Sequence, residues 1–444
     1  MTTKLVLALT SFSLLAAACG DNLGVGDDLP GDGQPSDEQP GDDDNGPGND
    51  GPGDELPTSG PCSMNAGIFG IDVILHASTG DVLDSGVSDS DGLVEFSECP
   101  RNAMISLAAY DEDLGWKGTT VAGVQPYSDL TVVLPGVGWK GTLMAEVPED
   151  GADITNEFVT IARQCTTSTE EGANEEVPIL AGCLGYDQDV LSVLAIGRIG
   201  DVWVYTHSDD INITKNGVTN VLADDMSNWT TGGAMPMTAS GITGNGASFL
   251  MAWMRNGQPY RPTGWGATVE QGSISGSIPL APSSFSKERL VGVRQYTGSA
   301  SSGILRRTTA SSYDFDMAQA PAFISSVDVD NDDVTRPTFF ATGLPSNGDM
   351  GVFRATWDID GTDVEWRIIF PAANMSSVRF PVLPEALEKA TPTTASAVTS
   401  VNVIDTTNQD YLGMLTTGYI IDKYPQYCGE LSGDAQCRFS SLQN

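Results

Sequence analysis

His207 is one of two histidines in a chain of 444 residues, and it closes the run "VWVYTH" that starts at Val202. In an extended strand Trp203, Tyr205 and His207 fall on one face, with Asp209 and Asp210 just beyond. Two rings and an imidazole beside carboxylates can bind a sugar by stacking, or a metal through the imidazole and a carboxylate. The same stripe also reads as an aromatic face packed inside a β-sandwich, with His207 at its edge. A second run, "DVDNDD" from Asp328 to Asp333, alternates Asp328, Asp330 and Asp332 as calcium loops do and is a candidate surface calcium site. It lacks the glycine such loops need at their sixth position and has Phe339 where the bidentate acid belongs. No Gly-x-Ser-x-Gly elbow occurs, so a serine hydrolase of the α/β type lacks its nucleophile turn. Carboxylate pairs for glycoside hydrolysis stay open, because only the fold fixes their separation. No cofactor is expected beyond that calcium.

The elements that must position these groups read as β-strands throughout. Phe69, Ile71, Val73 and Leu75 alternate onto one face, as do Val94 with Phe96, Ile105 with Leu107 and Ala109, and Leu130 with Val132 and Leu134. His76 falls on the outward phase with Asp72, where a solvated histidine is expected. Turns rich in Gly, Asp and Ser divide these runs, which predicts a small antiparallel sandwich over residues 61–136. The remainder, 137–444, continues as β-structure and predicts a larger β-sandwich or jelly-roll-like domain, with a subdivision near Pro282 left open. Its clearest unit is Gly351 to Pro371, where Asp360 and Gly361 would sit at the tip of a type I′ hairpin. That register pairs Ile359 with Thr362, Trp357 with Val364, Ala355 with Trp366 and Phe353 with Ile368. "PEALEKA", Pro384 to Ala390, is the one helical candidate, and "GWKGT" at Gly115 and Gly138 marks two strand starts.

At the amino terminus a basic residue, Lys4, precedes the apolar run Leu5 to Ala18, the layout of a secretory signal peptide over residues 1–18. Leu15, Ala16, Ala17, Ala18 and Cys19 together resemble the lipobox of bacterial lipoproteins. The resemblance implies that Cys19 is acylated, becomes the mature amino terminus and anchors the chain to a membrane. Acyl chains attach by burying methylenes, each contributing about 0.8 kcal/mol. Gly20 after the cysteine implies, by the same resemblance, the outer membrane of a Gram-negative envelope. Residues 19–60 hold no Lys or Arg and few apolar side chains, so this stretch cannot offset the entropy of ordering and reads as a disordered acidic tether.

The formal charge of −38 argues against nucleic acid and anionic lipid surfaces as partners. With Cys19 given to lipid, six of the seven cysteines fall in sequence as Cys62 with Cys99, Cys165 with Cys183 and Cys428 with Cys437. An exported, even-numbered set without Cys-x-x-Cys spacing reads as disulfides rather than zinc ligands, and the first pair could clamp two strands.

"GVSDSDGLVEF", Gly86 to Phe96, carries a second resemblance through Ser88, Asp89, Asp91, Gly92 and Phe96. A strand, an Asp-x-Asp-Gly turn and an alternating strand ending in Phe resemble the carboxypeptidase regulatory-like and transthyretin-like domains. That implies a prealbumin-like sandwich without an active site, used as a spacer, stabiliser or carbohydrate-binding-like module. The Asp residues of this turn read as acceptors of local backbone bonds. The functional expectation is a lipid-anchored envelope protein, non-enzymatic, with a structural, adhesive or carbohydrate-binding role toward a glycan or envelope protein. The alternative is an exported, glycosidase-like hydrolase using Asp and Glu residues.

Overall fold

The computed structural model describes residues 57–67, 69–111, 115–132, 134, 139–146, 155–160, 166–168, 175–180, 190–214, 217–255, 258–407, 409–416 and 436–444. Cys19, residues 19–56 of the acidic tether, Cys165, Cys183 and Cys428 lie outside them, while Ser59 and Gly60, read as the end of the tether, open the first strand. The described chain is almost wholly β, arranged as stacked sheets.

Seven strands open it: β1 (Ser59–Asn65), β2 (Asp72–His76), β3 (Val82–Val87), β4 (Leu93–Pro100), β5 (Ala103–Asp111), β6 (Gly115–Val124) and β7 (Asp129–Thr131). The sheet β4-β1-β7 packs on β3-β2-β5-β6, and the alternating apolar residues meet between them. Ile71, Val73, Leu75, Val94, Phe96, Ile105, Leu107, Leu130, Val132 and Leu134 share one buried cluster. Phe69 departs from that pattern at 71% exposed, because it sits in the turn before β2 rather than on the strand. The Asp-Gly turn before β4 is held by one carboxylate. Asp89 Oδ1 accepts the backbone N–H groups of Asp91 and Leu93, each at 2.9 Å, and Gly92 supplies a left-handed φ of 80°.

Beyond β6 the sheet does not stop. β6 pairs in parallel with the strand Thr362–Pro371, Trp116 opposite Val364 through Val121 opposite Ile369. The sheet then runs through Met350–Ile359, Ala397–Thr406, Gln436–Gln443, Ala300–Thr308, Glu288–Thr297, Gly246–Arg255 and Gln258–Ala267 to reach twelve strands. The first sandwich and the C-terminal strands thus share one sheet, and their buried cluster is shared too, Val73 and Ile105 with Val352, Ile369 and Phe439. The hairpin Met350–Ile359/Thr362–Pro371 has the register the sequence predicts, Trp357 opposite Val364 and Ala355 opposite Trp366. Its turn residues Asp360 and Gly361 take φ of 52° and 83°, both left-handed as a type I′ turn requires.

His76 is not solvated. It is fully buried, facing the cluster of Ile74, Met104, Phe353, Trp366 and Phe370. A hydrogen-bond chain holds it: Nε2 lies 3.0 Å from Ser106 Oγ, Ser106 Oγ lies 2.9 Å from Thr120 Oγ1, and Trp366 Nε1 donates to Thr120 Oγ1 at 2.9 Å. The chain crosses β2, β5 and β6 into the neighbouring hairpin, seam included. Gly118 makes room for it, since a Cβ there would lie 2.2 Å from the Trp366 ring. Burial drives the His76 pKa down to about 4, so the imidazole is neutral at neutral pH.

Two smaller layers cover the long sheet's other parts. Ser326–Asp330, Thr338–Thr342 and Ser377–Arg379 form a three-stranded sheet that, with the 3-10 helix Glu385–Ala390, buries Val327, Phe339, Val378 and Leu387 in the His76 cluster. At the far end a third cluster joins Val193, Tyr205, Met235, Phe249, Ile278 and Phe285.

Candidate functional site

The strand Val202–Asn212 pairs antiparallel with Val190–Ile199, setting Trp203 opposite Arg198, Tyr205 opposite Ile196 and His207 opposite Leu194. The three rings do share a face, and that face points inward. Tyr205 is fully buried and meets Trp253 edge-on, centroids 5.7 Å apart at 81°. Trp203 is half-buried, with the Arg198 guanidinium 5.2 Å from its ring centroid. The stripe is therefore a packed aromatic face, and a sugar has no access to the Tyr205 ring.

His207 stands at the edge of that stripe. Its ring lies 5.5 Å from Phe285 at 64°, its Nδ1 is 3.2 Å from Ser227 Oγ, and its Nε2 is 3.8 Å from Asp209 Oδ2. Asp209 is ion-paired with Arg255, whose guanidinium lies 4.9 Å from the Phe285 centroid and donates to the Ser284 carbonyl at 3.1 Å. Tyr260 packs edge-on against Phe285 at 5.1 Å, and burial pushes its phenol up to about 12. Burial also lowers the His207 pKa; Asp209 pulls it up and Arg255 pushes it further down.

Ser227, His207 and Asp209 have the residue types of a nucleophile, base and orienting acid, and the geometry does not give them those roles. At 3.8 Å the His207–Asp209 contact is too long for a hydrogen bond. The Asp209 carboxylate is engaged by Arg255, and Ser227 Oγ accepts the His207 backbone N–H at 3.0 Å, so it serves as a strand clip. A metal at His207 would meet the Arg255 cation beside the carboxylate it needs.

The aspartates at 328, 330 and 332 do not converge either. Asp328 Oδ1 accepts the Val329 N–H at 2.8 Å and Asp330 Oδ1 the Asp332 N–H at 2.9 Å. Among the described residues no group of three or more His, Cys, Asp or Glu could hold a metal ion. Alternation puts Asp328 and Asp330 on the exposed side of the short strand Ser326–Asp330, where carboxylates are solvated.

The cysteines divide. Cys62 and Cys99 are buried thiols on the paired strands β1 and β4, where Gly60 opposes Cys99 and Cys62 opposes Phe96 across an irregular step. Their side chains hydrogen-bond, which with burial drives the Cys62 thiol far above its ordinary pKa. Cys437 is buried in the last strand; its sequence neighbour Cys428 lies outside the described residues.

A further pair of carboxylates escapes the sequence motifs. Asp405 is 5% exposed, ion-paired with Arg438 and accepts Asn347 Nδ2–H at 2.6 Å. Asp349 Oδ2 accepts the Thr406 N–H at 2.7 Å. Burial raises Asp405 to about 6, with Arg438 pulling it down and Asp349 pushing it up; Asp349 is raised by burial and by Asp410. One signal for it lies in the sequence: Asp405 falls on the buried phase of its strand with Val401 and Val403, where a carboxylate is unusual.

No protein-family model matches the chain, and no curated protein matches it. Among solved structures it resembles the Bacillus anthracis TIE protein, at 12% identity and a TM-score of 0.15, over 58% of this chain and half (50%) of that one. It also resembles the FN1-FN3 domains of chicken CNTN1, at 8% identity and a TM-score of 0.14, over 60% of this chain and 93% of that one. Against trypsin-activated alpha-2-macroglobulin from Escherichia coli the identity is 11% and the TM-score 0.11, over 76% of this chain and 31% of that one. Each lies below the level at which two chains share a fold.

Proposed function

We propose that this is a lipid-anchored envelope protein that holds a stiff β-scaffold away from the membrane for a structural or adhesive role, toward a glycan or an envelope protein, without catalysis. The observation that carries the reading is the single twelve-stranded sheet joining the tether-bearing sandwich to the C-terminal strands. A sheet that crosses the seam by backbone bonds resists bending there, as suits a part that transmits position or load. The polar clusters of the fold support the same reading: His76, His207 and Asp349 spend their hydrogen bonds on neighbouring groups of their own fold. Lipobox, acidic tether and the paired cysteines fit export and attachment.

The test is fractionation with acyl labelling. Wild-type protein should partition with membranes and incorporate labelled palmitate, and Cys19→Ser should lose both. Unlabelled, fully soluble wild-type protein sinks the proposal.

One observation favours the hydrolase reading, the raised carboxyl of Asp405 beside Asp349, since perturbed acids gather at catalytic sites. Release of reducing sugar that Asp405→Asn or Asp349→Asn abolishes, with folding intact, would establish that reading instead.

A further inference from the structure

The strands Gly233–Ser240 and Ile274–Leu280 pair antiparallel, with Thr238 opposite Ser275. Alternation buries Met235, Met237 and Ala239 and turns Thr238 and Ser240 to solvent. Over this surface opens a cleft of about 510 Å3 whose polar lining is Thr238, Ser240, Thr268, Glu270, Ser273 and Ser275. Its rim is a tight turn: Glu270 and Ser273 exchange backbone hydrogen bonds at 2.9 and 3.0 Å, with Gln271 and Gly272 at φ of 51° and 74°. The turn holds Glu270 and Ser273 over the strands. No residue of the His207 group lines the cleft.

The chemistry of the lining is narrow. Each hydroxyl can donate and accept, whereas the carboxylate only accepts. The Thr238 hydroxyl donates to Asp314 Oδ1, which leaves its oxygen lone pairs as acceptors toward the cleft. Among the described residues no cation lines the cleft, and a chain of net charge −38 repels anionic ligands. Phosphate, sulfate and uronate groups would face Glu270 without a counter-charge. A ligand that offers many hydroxyls and no negative charge matches each group in turn, and a cleft of this size accommodates a few sugar rings on the usual scale of ligand sites.

We propose that this cleft binds a neutral oligosaccharide, which rests on the adhesive reading above and gives it a site and a ligand class. The test titrates the purified full chain calorimetrically with maltohexaose, cellohexaose and chitohexaose, and with hexagalacturonate as the acidic counterpart. At least one neutral hexasaccharide should bind and the uronate should not. Thr238→Val and Glu270→Ala, both at exposed positions, should each weaken that binding at least tenfold, with the melting temperature unchanged in Glu270→Ala and lowered by no more than a few degrees in Thr238→Val, which also loses the bond to Asp314. Failure of all three neutral sugars to bind overturns the proposal, as does equal binding of the uronate. Neutral-sugar binding that survives both variants also overturns the cleft, and leaves the adhesive reading standing. Membrane fractionation reads the anchor separately, so a failed titration with intact anchoring is told apart from failure of the envelope reading.

Discussion

Replacing His76 by glutamine should change how the protein responds to acid, by an amount the structure sets. The imidazole is fully buried, and its pKa falls from an ordinary 6.5 to about 4. A histidine whose folded pKa is depressed binds protons more readily when unfolded, so its stabilising effect is complete above pH 6.5 and is lost as pH falls through that value toward 4. At 1.36 kcal/mol per pKa unit, the loss between about pH 7.5 and about pH 4.5 is roughly 2.5 kcal/mol. Protonation would also demand an acceptor at Nε2, where Ser106 now completes a chain ending at Trp366. Asp405 works the other way. Its folded pKa is raised to about 6, so it destabilises the fold at neutral pH and is relieved as pH drops toward its ordinary value. The wild-type profile therefore mixes opposing slopes, and the informative quantity is wild type minus His76→Gln, from urea unfolding at both pH values. The difference should fall by roughly 2.5 kcal/mol on acidification. Parallel profiles, within about 0.5 kcal/mol at both pH values, would refute the buried, neutral histidine and the relay built on it.

Cys62 and Cys99 are hydrogen-bonded thiols here. In an oxidising compartment they should close to a disulfide, so exported protein should resist alkylation after denaturation without reductant and Cys99→Ser should then cost roughly 4 kcal/mol for a loop of this length; quantitative labelling of both thiols would dismiss the clamp. Trp366→Phe keeps one of the two fused rings and removes the N–H that Thr120 accepts, at a cost of about 2–3 kcal/mol from the lost bond and a small cavity, whereas Trp366→Ala should cost about 3–5 kcal/mol. Differential scanning calorimetry separates the two, and a Trp366→Phe variant as stable as wild type would mean the hydrogen bond contributes nothing. Gly361→Ala meets no atom within 4 Å yet must hold φ of 83°, so chemical denaturation should show a loss of about 1–2 kcal/mol from backbone strain alone.

The first sandwich and the 351–371 hairpin were legible because period-two alternation and turn chemistry are local. Asp89, Gly92, Asp360 and Gly361 fix their turns through their own side chains or φ angles. His76 misleads the same logic. Alternation says only that it opposes Val73 and Leu75, and the opposite side is covered by Phe339, Phe370 and Phe380, residues far along the chain. Phe69 fails at the boundary, where the pattern outlasts the strand. For Trp203, Tyr205 and His207 the shared face was readable, and its direction depended on Trp253 and Phe285. Asp349 and Asp405 meet only through the pairing of Met350–Ile359 with Ala397–Thr406, and a spacing that long leaves no motif.

The parallel seam has a consequence in time. β6 is complete by residue 124, and its partner is the strand Thr362–Pro371. During synthesis or passage across a membrane the first sandwich must wait, with one flank of open amides, until more than half of the polypeptide has followed. Such long-range closure is slow, and an open flank of this kind recruits neighbouring chains. A chaperone or a crowded membrane pore would meet the nascent chain in this half-built condition, and truncations that end before the hairpin should precipitate rather than fold.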